Sequence, residues 1–141
     1  IPPQNDLWNI RVKYIVDKGG FVGVSTYPWF LPKGSETTVD DCLVAFEYVI
    51  NLIGEDHVGI GTDFTQGQTK QFFDWLSLNH GHGRNLLHRD WEVAPQPIGF
   101  QSLSEYPNLT NAMMRRNWSE DRIRKIMGQN WLNFLEEVWN N

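Results

Sequence analysis

Apolar positions recur along this chain with two different periods, and the switching between them sorts the first part of the sequence into helix, strand, helix and strand. Leu7, Ile10, Tyr14 and Ile15 fall at helical spacing behind Asn5 and Asp6, either of which can cap a helix, and Gly19-Gly20 stops the run. Phe21 to Thr26 is short and rich in valine, and Tyr27-Pro28 and the turn-prone Pro32-Lys33-Gly34-Ser35 follow it, so it predicts a strand that enters a loop. The most regular pattern begins at Thr38. With Thr38 as cap, Asp40 and Asp41 lie near the positive end of the helix dipole, and Val39, Cys42, Leu43, Phe46, Val49, Ile50 and Ile53 share one face until Gly54. Val58 to Asp63 predicts a second strand, and the interval from Tyr27 to Val58 suits a helical crossover between parallel strands.

Beyond Asp63 the periodicity lapses. Residues 65–101 carry glycines around His80 and His82, aromatics at Phe72, Phe73, Trp75 and Trp91, and prolines at 95 and 97. A stretch so long without a period is expected to be a functional loop or lid, and it is assigned to 65–106, after the last strand. Helices are expected again from Pro107 to Arg116, with Leu109, Ala112 and Met113 on one face. Ser119 should cap a short helix that has Glu120 and Asp121 in its first turn, Gly128 should end it, and Asn130 is expected to cap Trp131 to Trp139. Trp118, Trp131 and Trp139 lie in or beside these helices, where core packing is the default role for a tryptophan.

The faces of the two strands match. Phe21, Gly23, Ser25 and Tyr27 share one face of the first, and His57, Gly59, Gly61 and Asp63 share one face of the second. The opposite faces, Val22, Val24 and Thr26, then Val58, Ile60 and Thr62, are β-branched and suited to packing under helices. In a (β/α)₈ barrel the helix-facing side is apolar, the other side points inward, and chemistry gathers at the carboxyl ends of the strands. Tyr27 and Asp63 occupy those ends. His57 lies at the opposite end, about 20 Å away at ~3.3 Å per residue, and is not expected to share a site with Asp63.

Composition narrows the function classes. The 141 residues have the length of one domain, and 12 Lys and Arg against 17 Asp and Glu give a net charge of −5, which leaves no basic surface for nucleic acid. The single cysteine, Cys42, is expected to be a buried thiol without redox duty. No apolar run approaches the length of a membrane span, and the first residue is Ile1 with no leading Met, so the true N-terminus and any signal peptide are expected upstream. No compartment follows from these residues.

Among the residues with chemistry to offer, an aspartate that closes a strand is by itself more often a turn-former than a catalyst. Tyr27 is balanced between half-buried packing and lining a pocket. Asn79-His80-Gly81-His82-Gly83 places two histidines at a spacing that can share a metal on a strand, but the glycine and asparagine flanks favour a loop. His88, with Arg84 and Arg89, reads as a solvated charge cluster or as part of a lid that meets a substrate carboxylate.

Three stretches, "DKGGFVGVSTY", "HVGIGTDF" and "YPNLTNAMMRRNWSEDRIRKIMGQNWLNFLEEVW", taken in this order and spacing, resemble the C-terminal third of the membrane (renal) dipeptidase family. The resemblance implies an α/β chain, residues 1–141 forming the C-terminal part of a (β/α)₈ TIM-type barrel: about the last two βα units and the C-terminal helices. It implies a zinc-dependent dipeptidase that hydrolyses the peptide bond of dipeptides by metal-activated water, with two zinc ions whose main ligands lie upstream of residue 1. It matches Asp63 to the family's catalytic aspartate beside the metals, and Tyr27 to an aromatic that lines the substrate pocket. The family motif continues Asp-Phe-Asp-Gly, whereas this chain has Asp63-Phe64-Thr65-Gln66-Gly67, which bears on substrate preference. The chain alone is expected to be inactive, and the partners implied are a dipeptide and, for the full-length protein, room for a homodimer. The alternative from a different class is a self-contained α/β binding module that uses the loop 72–91 for a small ligand or partner.

Overall fold

The computed structural model describes residues 6–65, 67–69, 71, 72, 75 and 96–140. In chain order its main elements are helix α1 (Asp6–Asp17), strand β1 (Val22–Ser25), helix α2 (Val39–Ile53), strand β2 (Val58–Gly61), and helices α3 (Tyr106–Arg115), α4 (Glu120–Arg124) and α5 (Asn130–Trp139). The two strands pair in parallel, with Val22 opposite Val58 and Ser25 opposite Gly61, and α2 makes the crossover between them.

Helix α2 forms where the pattern places it, because its first turn satisfies its own orphan donors. Thr38 Oγ1 accepts from the Asp41 N–H at 3.4 Å, and Asp41 Oδ2 accepts from the Thr38 N–H at 2.9 Å, a reciprocal capping box that Lys33 completes with an ion pair to Asp41. Val39, Cys42, Leu43, Phe46, Val49 and Ile50 are all buried, so the predicted face is the core face. Cys42 is nearly inaccessible, and its thiol pKa is pushed up to about 12, by burial first and then by the charge of Asp41. Leu109, Ala112 and Met113 of α3 close on this face, together with Phe100, Trp118 and Ile126.

Phe100 belongs to a limb by which the chain returns to the core. The Ile98 N–H donates to the Thr37 carbonyl at 2.8 Å, and the Val39 N–H donates to the Ile98 carbonyl at 2.9 Å, a short parallel bridge that ties residues 96–100 to the start of α2.

Helix α1 is helical over the expected residues, but its burial is turned around. Leu7, Ile10, Tyr14 and Ile15, the apolar positions that predict the helix, are exposed, while Val12 is buried and Trp8 packs on Tyr48, whose hydroxyl donates to Asn9 Oδ1 at 2.9 Å. Aliphatic spacing reports the helical period, but the side that docks is chosen by what α2 offers, here a tyrosine hydroxyl and ring.

The C-terminal helices depart from expectation in a second way. Ser119 caps α4 as predicted, accepting from the Arg122 N–H, and the chain kinks at Gly128 within a π-helical turn, Lys125–Gln129. Asn130 makes no side-chain cap. Its buried amide instead donates to the Glu55 carbonyl at 2.6 Å and to the Val58 carbonyl at 2.8 Å, clipping the start of α5 to the lower end of β2. Trp118 is in the core, whereas Trp131 is 40% exposed and Trp139 is 76% exposed, so core packing is the wrong expectation for Trp139. That helix has one side against Phe21 and the foot of β2 and one side facing out.

Asn130→Asp should therefore be among the more destabilising substitutions of a surface-sized residue. It replaces a two-proton donor with a carboxylate aimed at two carbonyl oxygens, an exchange that costs on the order of 3 kcal/mol. Urea unfolding at neutral pH should show the loss, and acidification should recover part of it, because the protonated acid can donate once. Equal stability at neutral pH would remove the clip from this account.

Glu55 is the acid that organises the same corner. Arg122 Nε lies 2.6 Å from one of its oxygens and Lys125 Nζ lies 3.0 Å from the other, while Lys125 also pairs with Asp56 and Asp121. The Arg122 hydrogen bond first, and the Lys125 bond second, hold the Glu55 carboxyl below its ordinary value of 4.5. A depressed folded pKa contributes stability that is complete above the ordinary value and is lost as pH falls through the folded one. Glu55→Gln should thus lower Tm at neutral pH and flatten its decline below about pH 5. An unchanged acid limb would show that the pairs are screened away.

Candidate functional site

The sheet register decides which residues meet at its carboxyl end. Ser25 stands opposite Gly61 as the last pair of the ladder, and Tyr27 and Asp63 each follow two residues beyond it. An electrostatic observation agrees: burial raises the Tyr27 phenol pKa above its ordinary value, and the neighbouring charge of Asp63 raises it further. Tyr27 is buried, with its ring edge-on to Phe30 at 5.1 Å between centroids, while Asp63 is exposed.

Asp63 is held in an uncommon backbone conformation. Its φ is +57°, in the left-handed region that aspartate and asparagine enter more readily than most residues. The residues beside it are tied down. The Thr26 hydroxyl donates to the Thr62 carbonyl at 3.3 Å, the Phe64 N–H donates to Thr62 Oγ1 at 3.2 Å, and the Phe64 ring packs on Phe100 with centroids 5.0 Å apart. On the other strand the Tyr27 N–H donates to Ser25 Oγ at 3.2 Å. Both strands thus end in a hydroxyl residue that accepts from the N–H two positions on, and this turns the chain without leaving that donor orphaned.

Below this pair the face carries Ser25 and then glycines at 23, 59 and 61. A Cβ added to Gly61 would stand 3.2 Å from the Gly23 carbonyl carbon, and one added to Gly59 would run into the Phe21 ring. Phe21 is itself held by Trp131 and Phe134 of α5, at centroid distances of 4.5 and 5.7 Å. The lower end of the face is therefore closed by the C-terminal helix, and the upper end leads to Tyr27 and Asp63. His57 is half-buried at the lower end, where its carbonyl accepts from the Val22 N–H.

Among the described residues, no group of three His, Cys, Asp or Glu is placed to hold a metal ion. Asp63 by itself cannot make a zinc site, which requires about four ligands. His80, His82, His88, Arg84, Arg89, Phe73 and Trp91 lie outside the described residues. Also among the described residues, no helix is long and apolar enough to cross a membrane.

Sequence reasoning passed over two features here. One is the set of hydroxyls Ser25, Thr26 and Thr62, whose signal was the change from aliphatic residues to serine and threonine at the strand ends. The other is a cleft of about 620 Å³ beside β1, between Trp8, the loop residues Trp29 to Pro32 and the Val44 to Tyr48 side of α2. Its signal was Trp29-Phe30, two consecutive aromatics after Tyr27-Pro28. Both of these aromatics are exposed.

Comparison with known proteins places the chain in a peptidase family. The sequence profile of the membrane dipeptidase family, peptidase family M19, matches residues 4–80 and 86–141. Dipeptidase tcpJ of Claviceps purpurea is 30% identical over 84% of this chain, which spans only 22% of that protein's length. A crystal structure of an amidohydrolase from Pseudomonas aeruginosa superposes on 94% of this chain with a TM-score of 0.85 and 44% identity, and the match covers 40% of the Pseudomonas chain. A metallo peptidase from Rhodobacter sphaeroides, solved with a phosphinate mimic of the dipeptide L-Ala-D-Ala, superposes on 93% of the chain with a TM-score of 0.68 and 25% identity, and the match covers 31% of that structure. The chain thus corresponds to less than half the length of each.

Proposed function

Because the chain belongs to the membrane dipeptidase family, peptidase family M19, we propose that it is the C-terminal part of a (β/α)₈ barrel whose complete form hydrolyses dipeptides, with Asp63 managing protons and Tyr27 walling the substrate pocket. The observation that supports this reading is that the charge of Asp63 acts on Tyr27 just past the carboxyl ends of two parallel strands, where a barrel of this class does its chemistry. The family is metal-dependent, and two zinc ions are the expected complement. The described residues do not form a site for them, and the family resemblance assigns their main ligands to polypeptide upstream.

The contribution of this chain can be derived from its own groups. Hydrolysis adds water across the amide: an oxygen–carbon bond forms at the carbonyl, the carbon–nitrogen bond breaks, and one proton must leave the water and reach the departing amine. A carboxylate exposed at the sheet opening, as Asp63 is, can take the first proton and deliver it to the nitrogen. Tyr27, with its pKa raised, stays a neutral phenol at physiological pH, which lets it donate to a substrate oxygen and keeps a second negative charge away from Asp63. The binding-module alternative rests on residues 72–91, nearly all of them outside the described residues.

A single comparison tests the reading: metal content and hydrolysis of L-Ala-D-Ala and L-Ala-L-Ala by the complete protein and by the 141-residue chain. After dialysis the complete protein should retain two equivalents of zinc and turn over at least one of the dipeptides. The isolated chain should retain neither zinc nor activity, and His80→Ala, His82→Ala should leave its metal content unchanged. Two equivalents of zinc on the isolated chain would refute the upstream assignment. A zinc-loaded complete protein inert toward dipeptides would refute the function.

A further inference from the structure

Both strands change character at the same place. On the helix-facing side β1 reads Val22, Val24 and then Thr26, and β2 reads Val58, Ile60 and then Thr62, so each aliphatic row ends in a threonine just before Tyr27 or Asp63. Packing alone would be served by another valine, since Thr26 is fully buried. What threonine adds is a hydroxyl, and both hydroxyls act on the peptide units that flank Asp63. Thr26 Oγ1 donates across the sheet to the carbonyl of Thr62, which fixes the unit before Asp63. Thr62 Oγ1 accepts from the N–H of Phe64, which fixes the unit after it. Between these two restraints Asp63 adopts its left-handed φ of +57°.

We infer that Thr26 and Thr62 are positioning residues for Asp63: they hold the peptide units on either side of it, keep it in the left-handed conformation, and so fix its carboxylate beside Tyr27 at the open end of the sheet. Neither threonine touches substrate. Each acts through Asp63, and the inference therefore rests on the acid–base reading of that residue. A purely structural role would show in the melting temperature and leave the chemistry alone. A positioning role shows in kcat, because a reacting group displaced by about 1 Å can cost on the order of 100-fold.

The test is a double-mutant cycle in the complete, zinc-loaded enzyme. Thr26→Val keeps the shape and removes the donor. It should lower kcat by about 10- to 100-fold with KM changed by less than about 3-fold. Thr26→Ser should keep kcat close to the parent value. Asp63→Asn should lower kcat by on the order of 10² to 10⁴-fold, and the Thr26→Val, Asp63→Asn double variant should be no slower than Asp63→Asn alone. Multiplying losses in the double variant would overturn the inference, because Thr26 would then act independently of Asp63. So would parental turnover in Thr26→Val beside a collapsed Asp63→Asn, and in that case the acid–base reading survives. Parental turnover in Asp63→Asn removes both. If the fully buried Thr26→Val fails to fold, Thr62→Val carries the same cycle with the same expected outcomes, since Thr62 is only half-buried.

Discussion

Asp63→Asn in the complete enzyme will abolish most of the turnover and little else. General acid–base groups contribute on the order of 10² to 10⁴-fold, so kcat should fall by about that factor. The backbone gives no reason for collateral damage. Asparagine enters the left-handed region at least as readily as aspartate, so the φ of +57° is retained, and the side chain is exposed, so no core contact is lost. The zinc should stay if its main ligands lie upstream. The competing account, in which the residue only turns the chain, predicts that the amide makes the same local bonds and that kcat is unmoved. Loss of zinc in the variant would be informative in another way, since it would move Asp63 from proton handling into direct coordination.

The isolated chain will not behave as a monomer. The strands form a two-stranded parallel sheet, and parallel sheets are almost always covered on both faces and continued at their edges. Gly23 is exposed on the face that a barrel would close, and Leu7, Ile10, Tyr14 and Ile15 line the outer side of α1. Trp29 and Phe30 add two exposed aromatics beside the cleft at β1. Apolar surface gathered in this way is a docking surface or an aggregation hazard. Sedimentation should show concentration-dependent association, a hydrophobic dye should bind, and thermal unfolding should be broad. A sharp, reversible melt of a dye-negative monomer would count against the barrel-fragment reading and favour a self-contained module.

The parts of the fold that could be read from the sequence are those in which one local pattern is satisfied by one local partner. Helix α2 is legible because Thr38 and Asp41 cap each other and because its apolar face meets the core regardless of what surrounds the domain. The two strands and their register-matched ends are legible because side chains alternate, which put Tyr27 and Asp63 at equivalent places before any pairing was known. Helix α1 was legible as a helix and illegible as a surface. Its orientation depends on Trp8 and Asn9 meeting Tyr48, a contact spanning 39 residues between Asn9 and Tyr48, which periodicity does not encode. Asn130 misled for a related reason. An asparagine before an apolar helix is a good local cap, its Oδ1 accepting from a helix N–H, but here its side-chain N–H group donates to two carbonyls at the foot of β2, which are visible only in three dimensions. In the candidate site, the place of Asp63 just past the strand end could be read from alternation. The hydrogen bonds of Thr26 and Thr62 could not, because a threonine at a strand end looks the same whether it packs or donates.

The clip from Asn130 to the foot of β2 also sets a timetable for biosynthesis. The carbonyls of Glu55 and Val58 find this partner 75 and 72 residues later in the chain. A domain generally folds as a unit, so a contact made late in the chain waits until synthesis has reached it. Here the strand that carries Asp63 emerges from the ribosome long before the side chain that secures its lower end. Until Asn130 has been translated, the carbonyls of Glu55 and Val58 lack this partner, so the strand that leads to Asp63 cannot be secured at its lower end in the manner of the finished fold.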